Sequence, residues 1–200
     1  MTSLDLDINL VNPVFHERCF NYPGGSGLLE FPHIANWRDY LLSLKIRSAK
    51  VPTIHTEAYH AALRMMLLTW VEYSAAKSAE LQALRSLESA LTGAYMDRLK
   101  SKNPKSRAHF SDLLEFSVKT DDLPETFALK RLADGHIVHK VEKKDQWKYA
   151  EWTLPSIRNA LAHGDIFNNL PWGGLFEAVR EVMEHAYRNR SLTQTGLSHD

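Results

Sequence analysis

Leu81-Gln82-Ala83-Leu84-Arg85-Ser86-Leu87-Glu88-Ser89-Ala90-Leu91-Thr92-Gly93-Ala94-Tyr95-Met96-Asp97-Arg98-Leu99 decides the fold class. Leu81, Leu84, Leu87, Leu91, Tyr95 and Leu99 step by three or four, while Arg85, Glu88, Asp97 and Arg98 fill the opposite face. That is the repeat of an amphipathic α-helix with one side in a core. Immediately before it, residues 53–75 are apolar around most of their circumference (Ala58, Ala61, Ala62, Leu63, Met65, Met66, Leu67, Leu68, Trp70, Val71), as expected of a central helix ringed by others. The two segments are read as separate helices or as one continuous helix.

Outward from this pair the helical pattern continues in shorter pieces. From Ile34, the residues Trp37, Tyr40, Leu41 and Leu44 share one face and stop before Val51-Pro52. Residues 100–106 contain Asn103-Pro104 and read as a loop, followed by a helix opening near Ser106 with Phe110, Leu113, Leu114 and Ser117. A further helix is expected over 123–133, stopped by Asp134-Gly135, and then a charged stretch over 136–148 that is either a brief strand or a loop. Pro155 suits a first helical turn, Leu154, Ile157 and Leu161 line one face, and Gly164 supplies a stop. Leu175, Val179, Val182, Met183 and Ala186 give the last apolar face. The first thirty or so residues hold the turn formers, including Asn12-Pro13 and Tyr22-Pro23-Gly24-Gly25-Ser26-Gly27, and read as an irregular or short-stranded arm. The expectation is an all-α, up-and-down helical bundle over 51–190, preceded by an N-terminal arm with a short helix over 1–50 and followed by a loose tail over 191–200.

Composition narrows function little. In 200 residues, Lys plus Arg equals Asp plus Glu at 24 each, so no global field draws a polyanion and any such attraction is local. Cys19 is the single cysteine, which excludes an internal disulfide and a thiolate metal cage and fits a reducing compartment. The start of the chain lacks the basic and apolar regions of a signal peptide, and no apolar run approaches the roughly 20 residues that span a bilayer, so the expectation is a cytoplasmic protein with no membrane partner.

Chemistry concentrates at Arg158-Asn159-Ala160-Leu161-Ala162-His163. Attack of an RNA 2′-hydroxyl on its own phosphodiester needs a group that moves protons near neutral pH and a group that stabilises charge building on phosphorus. Histidine, with an unperturbed pKa of about 6.5, suits the first, and the always-charged fork of arginine suits the second. Arg158 and His163 are five residues apart, roughly 140° around a regular helix, whereas Asn159 and His163 share a face. Arg158 and His163 therefore converge only if the helix unwinds at Gly164 or if a second copy faces the first, and Asn159 is placed to orient His163. The same residues also suit a plain capped helix end, with His163 near the negative end of the helix dipole.

At these positions the sequence resembles the HEPN superfamily, whose ribonuclease members carry an arginine, four to six residues and then a histidine, often with a polar residue directly after the arginine. Residues 157–164 look like the form found in abortive-infection and toxin-like bacterial branches, and the helices at 83–91 and 110–114 look like the core that precedes the motif. The resemblance covers roughly 53–188. It implies a helical domain that dimerises so that two motifs line one cleft, and a metal-independent endoribonuclease without cofactors that leaves a 2′,3′-cyclic phosphate. His163 would be the general acid or base, Arg158 the phosphate and transition-state contact, and Asn159 the polar supporter. It also implies a toxin or anti-phage effector restrained by an antitoxin or regulatory protein. The alternative within the superfamily is a non-catalytic module that binds or senses a nucleotide, a nucleic acid or a partner protein; a purely structural oligomerisation domain is a third possibility.

Arg98, Lys100, Lys102, Lys105 and Arg107 form a basic run without an acidic residue, which either follows an RNA backbone or is simply solvated. Lys140, Lys143, Lys144 and Lys148 form a second run, broken by Glu142 and Asp145. Trp147, Trp152 and Trp172 flank the motif as base-stacking groups or, more commonly, as core or interface anchors. Glu57 and His60 have a di-iron spacing without the second pair that such a site needs, and His136 and His139 lack companions at zinc spacing, so no metal site is expected. Gly24-Gly25-Ser26-Gly27 reads as a plain turn rather than a phosphate loop.

Overall fold

The computed structural model describes residues 19–24, 27–102, 109–123, 154–164 and 171–190. Among these the chain is mostly helical, with six α-helices and one two-stranded hairpin. The hairpin pairs β1 (Phe20–Gly24) with β2 (Gly27–Phe31) antiparallel, in the register Phe20↔Phe31 and Tyr22↔Leu29 on one face and Asn21↔Glu30 on the other. Phe20, Tyr22 and Phe31 are buried while Asn21, Leu28 and Glu30 are exposed, which is the alternation that the two-residue period of a strand imposes.

Of the two readings of the first residues, irregular or short-stranded, residues 20–31 take the second, and the inner face of the hairpin belongs to the main core. Helix α1 (Ile34–Ser43) sets Ile34, Trp37 and Leu41 against that face. Trp37 is fully buried, with the rings of Phe20, Tyr22, Phe31 and Tyr40 centred between 4.8 and 5.6 Å away. Truncating such a side chain removes about 3–5 kcal/mol.

Helix α2 (Thr53–Leu67) starts after Pro52, whose carbonyl receives the first backbone bonds from His55 and Thr56. It ends eight residues before the expected limit. A 3-10 turn at Leu68–Trp70 takes over, where the Thr69 hydroxyl bonds back to the Met66 carbonyl at 2.6 Å, and Glu72 then accepts the Ser74 N–H at 3.1 Å. These local side-chain bonds compete with continued helix and separate the two central elements.

Helix α3 (Ala75–Lys102) follows, 28 residues and about 42 Å long at 1.5 Å per residue. Contacts of Ser89 with His55 and of Gln82 with Ala58 show α2 and α3 running antiparallel. Ala83, Leu84, Leu87, Ala90, Leu91 and Tyr95 are all buried, as their spacing predicts.

The remaining helices dock on α3. Helix α4 (Phe110–Thr120) opens four residues later than expected, where the His109 N–H donates to Asp112, and packs Phe116 on Tyr95 at 5.5 Å. Helix α5 (Leu154–Ala162) buries Leu154 and Ile157. Helix α6 (Leu175–Tyr187) starts at Gly174, whose φ of 74° is the left-handed conformation that glycine adopts without strain, and buries Leu175, Val179, Val182 and Met183. The Tyr187 hydroxyl donates to the Ala90 carbonyl of α3 at 2.9 Å. The Tyr59 hydroxyl lies 3.1 Å from the Leu44 carbonyl and 3.0 Å from that of Phe176, tying α2 to the end of α1 and to α6. Of the helix expected over 123–133 only Leu123, which is buried, is described, and the segment 136–148 and the tail over 191–200 lie outside the described residues.

Candidate active site

The motif occupies the end of α5. Leu154 and Ile157 anchor the helix in the core, which turns Arg158 and Asn159 outward. The His163 N–H still bonds the Asn159 carbonyl at 2.9 Å, and the chain leaves helical geometry at Gly164, with φ of 70°. Gly164 is therefore the stop that the sequence predicts. The departure from helical geometry comes one residue after His163, so the backbone up to His163 keeps its helical offset from Arg158. Of the two routes to convergence, the one inside a single chain is not taken here.

Arg158 reaches across to α3. Its Nε and Nη2 both donate to Oε2 of Glu88, at 3.1 and 2.8 Å, and its Nη1 donates to Oδ1 of Asn159 at 3.0 Å. A guanidinium has five N–H donors, and these three bonds leave two without a partner among the described residues. With the two side chains 33% and 28% exposed, the ion pair is worth little to stability, about 1 kcal/mol at most, but it fixes the direction of the fork.

Asn159 departs from its expected task. Its amide oxygen accepts from Arg158, so the side chain orients the guanidinium, and only its backbone carbonyl holds the His163 end of the helix. The His163 imidazole is exposed and meets no partner among the described residues. The arrangement is thus a guanidinium steadied by Glu88 and Asn159, with an exposed imidazole at the end of the same short helix. Glu88 is the residue that sequence reasoning missed. It lies 70 positions before Arg158 and looks like any polar-face carboxylate, and only the docking of α5 on α3 reveals the pair.

The basic run is distributed differently from the loop that was expected. Arg98 and Lys100 stand on α3 itself, which extends to Lys102, while Lys105 and Arg107 lie outside the described residues. Arg98 is engaged within the chain, 5.3 Å over the Phe116 ring, 5.8 Å over that of Tyr95 and 3.8 Å from Asp121. Asp121 is in turn a hub for the Tyr95 hydroxyl at 2.6 Å and Arg188 at 2.8 Å. Burial raises its carboxyl, but those two hydrogen bonds and the positive charges of Arg188 and His185 outweigh it and hold the group below the usual carboxylate range. Arg98 is therefore a clasp between α3 and the end of α4.

No family model, curated protein or solved structure matches the chain.

Trp172 is a core anchor. It is buried, its backbone N–H donates to the Glu80 carboxylate, and Lys77 lies 5.5 Å from its ring. Trp147 and Trp152, the second basic run, and His136 and His139 lie outside the described residues. His60 is buried, and that burial pushes its imidazole below the usual range. Among the described residues no three His, Cys, Asp or Glu side chains gather closely enough to hold a metal ion, and no helix is long and apolar enough to cross a membrane. The Gly24-to-Gly27 segment joins the two hairpin strands.

Proposed function

We propose that the chain is a metal-independent endoribonuclease of the HEPN type, working as a homodimer on RNA. The observation that carries this reading is the fork of Arg158, aimed by Glu88 and Asn159 with two N–H donors left over, on the same nine-residue helix that ends beside the exposed His163. Because one chain keeps Arg158 and His163 on different sides of that helix, a second copy completes the site. One imidazole takes the proton from the 2′-hydroxyl as its oxygen bonds to phosphorus. A second donates a proton to the departing 5′-oxygen as the P–O bond breaks, leaving a 2′,3′-cyclic phosphate and a 5′-hydroxyl. Arg158 offers its free N–H groups to the phosphoryl oxygens where charge accumulates. A role as a growth-arresting toxin or anti-phage effector, held in check by an antitoxin or regulatory protein in the cytoplasm, belongs to the same proposal.

Cleavage of a mixed RNA in the presence of EDTA tests it. His163→Ala and Arg158→Ala are each expected to lower the rate by about a hundredfold to ten-thousandfold while leaving the fold intact. Equal activity in His163→Ala, or none in the wild type, refutes the enzyme. The specific observation on the side of a non-catalytic HEPN binding or sensing module is the engagement of Arg158 by Glu88: a cation already paired can serve recognition without ever meeting a scissile phosphate.

A further inference from the structure

Along α3 the side of the helix away from the core forms a ridge between α2 and α5. Arg85, Ser89 and Gly93, spaced by four, are all exposed, and the span from the first to the last is about 12 Å at 1.5 Å per residue. At about 100° per residue, Glu88 and Ser89 point to opposite flanks of this ridge, with Arg85 between them. Each flank carries a donor group from a neighbouring element. On the α5 side stands Arg158, held on Glu88. On the α2 side stands His55, whose Nδ1 lies 3.3 Å from the Ser89 hydroxyl. Arg190, just beyond α6, closes the far end: its guanidinium sits 4.8 Å over the Tyr187 ring and donates to the Gly93 carbonyl at 3.0 Å.

Gly93 makes this junction possible. A Cβ there would stand 2.9 Å from the Tyr187 hydroxyl and 3.0 Å from Nε2 of His55, so a side chain at 93 would have to push the ends of those two groups away from α3. Arg85 has neither a hydrogen bond nor an ion pair within the described residues. The strip therefore gathers three guanidinium groups, a hydroxyl and an imidazole. Its one acidic member, Glu88, is already paired, and Asp97 comes a further turn along. Burial, and after it the charge of Arg190, push the His55 imidazole below the usual range, so near neutral pH it is a neutral hydrogen-bonding group.

We infer that this ridge is the track on which a single RNA strand lies as it leads into the Arg158 site, with Arg85 and Arg190 each taking a backbone phosphate and Ser89 and His55 bonding the sugar-phosphate chain between them. The inference rests on the ribonuclease reading for its direction, since Arg158 borders the same ridge. A track one helix wide fits one backbone rather than the two of a duplex, and it brings to the motif an unpaired nucleotide free to turn its 2′-hydroxyl in line.

The test separates binding from cutting. A fluorescently labelled single-stranded oligonucleotide with 2′-O-methyl groups is not cleaved through its 2′-oxygen, so its anisotropy reports binding alone in the full chain. Arg85→Glu combined with Arg190→Ala is expected to weaken binding at least tenfold and to flatten the dependence of log Kd on log salt by about 1.4, since each lost phosphate contact on a single strand accounts for roughly 0.7. Arg64→Glu, an exposed arginine near the far end of α2, is the control and leaves both unchanged. Because Arg190 touches Tyr187 and Gly93, the single variant Arg85→Glu is measured as well, and on its own it weakens binding severalfold and flattens the slope by about half as much.

An unaltered Kd and slope in the double variant overturn the track, as does equal weakening by Arg64→Glu, tighter binding of the duplex of the same sequence, or no binding by the wild type. If the double variant loses binding while the wild type never cuts unmodified RNA, the track stands and the ribonuclease reading falls. If the wild type cuts and the double variant binds as well as it does, the track falls alone.

Discussion

Two glutamates on α3, eight residues apart, mark two regions that obey different rules. Glu80 is wholly buried: it accepts the Trp172 backbone N–H, is paired with Lys77 at 3.2 Å, and after burial itself is a further cause of the raised Tyr22 and Tyr73 hydroxyl pKa values. Around it are the hairpin, α1 and the start of α6, packed ring against ring. Glu88 is part-exposed and holds a single guanidinium on a short helix that buries Leu154 and Ile157 and packs the half-buried Leu161 against the core. The first region is a frame of packed rings in which the buried carboxylate of Glu80 is held from two sides. The second keeps its polar groups at the surface, with donors left over, as a site that must meet a ligand requires. Stability is expected to depend on the first and activity on the second.

The largest effect that breaks this contrast is expected at Trp37. Trp37→Ala removes the indole around which four other aromatic rings are arranged and is expected to cost about 3–5 kcal/mol, enough to unfold much of a marginally stable domain. Ile157→Ala, in the sparser region, is expected to cost about 2 kcal/mol, at the low end for an aliphatic truncation because the site can partly collapse. Urea unfolding of the two variants measures the difference. Equal losses would mean that α5 is as firmly built in as α1 and that the site rests on the same frame.

The difference also explains what was legible in the sequence. The helices of the frame announce themselves because packing on one side forces apolar residues to recur every three or four positions, and α3 and α6 lie where Leu84, Leu87 and Leu91 and then Val179, Val182 and Met183 put them. The early end of α2 was not legible, because Thr69 and Glu72 stop it through local side-chain bonds that leave the hydropathy pattern unbroken. The hairpin was legible only as turn formers: its strands are five residues long, and the two-residue period of Phe20 and Tyr22 is too short to stand out. At the site, Arg158, Asn159, His163 and Gly164 are visible because they are contiguous. Glu88 is invisible, and so is the engagement of Asn159 by Arg158 rather than His163, because both depend on how α5 is set against α3.

A smaller effect sharpens the frame side through pH. Burial pushes the Glu80 carboxyl up to about 7 from 4.5, against the opposing pull of Lys77 and the Trp172 N–H. The folded chain thus keeps a proton that the unfolded chain gives up between pH 4.5 and 7. The stability tied to that proton is fully present below pH 4.5 and is lost as pH rises through 7, a change on the order of 3 kcal/mol. Glu80→Gln retains an acceptor for Trp172 and does not titrate, so its stability relative to the wild type is expected to rise by about that amount between pH 4.5 and pH 8. A difference that stays constant across this range, in urea midpoints measured at both ends, shows that Glu80 is ionised in the folded state throughout.

The smallest effect on stability is expected at Glu88, and it asks the most of the site. Both partners of the Glu88–Arg158 pair are about one-third exposed, so water screens them and Glu88→Gln is expected to change stability by less than about 1 kcal/mol. Its effect on RNA has two opposing parts. The carboxylate aims the Arg158 fork and also competes with phosphate for it. Glutamine offers one neutral oxygen in the same place, which keeps part of the aim and removes the competing charge. Binding of an uncleavable RNA is therefore expected to tighten severalfold while the rate of cutting falls, because a fork freer to follow any phosphate is less fixed on the one that reacts. Tighter binding with faster cutting would show that Glu88 only restrains Arg158. Unchanged binding would show that the RNA never reaches the guanidinium, and the contrast between a sealed frame and an open site would then fail at the residue on which it turns.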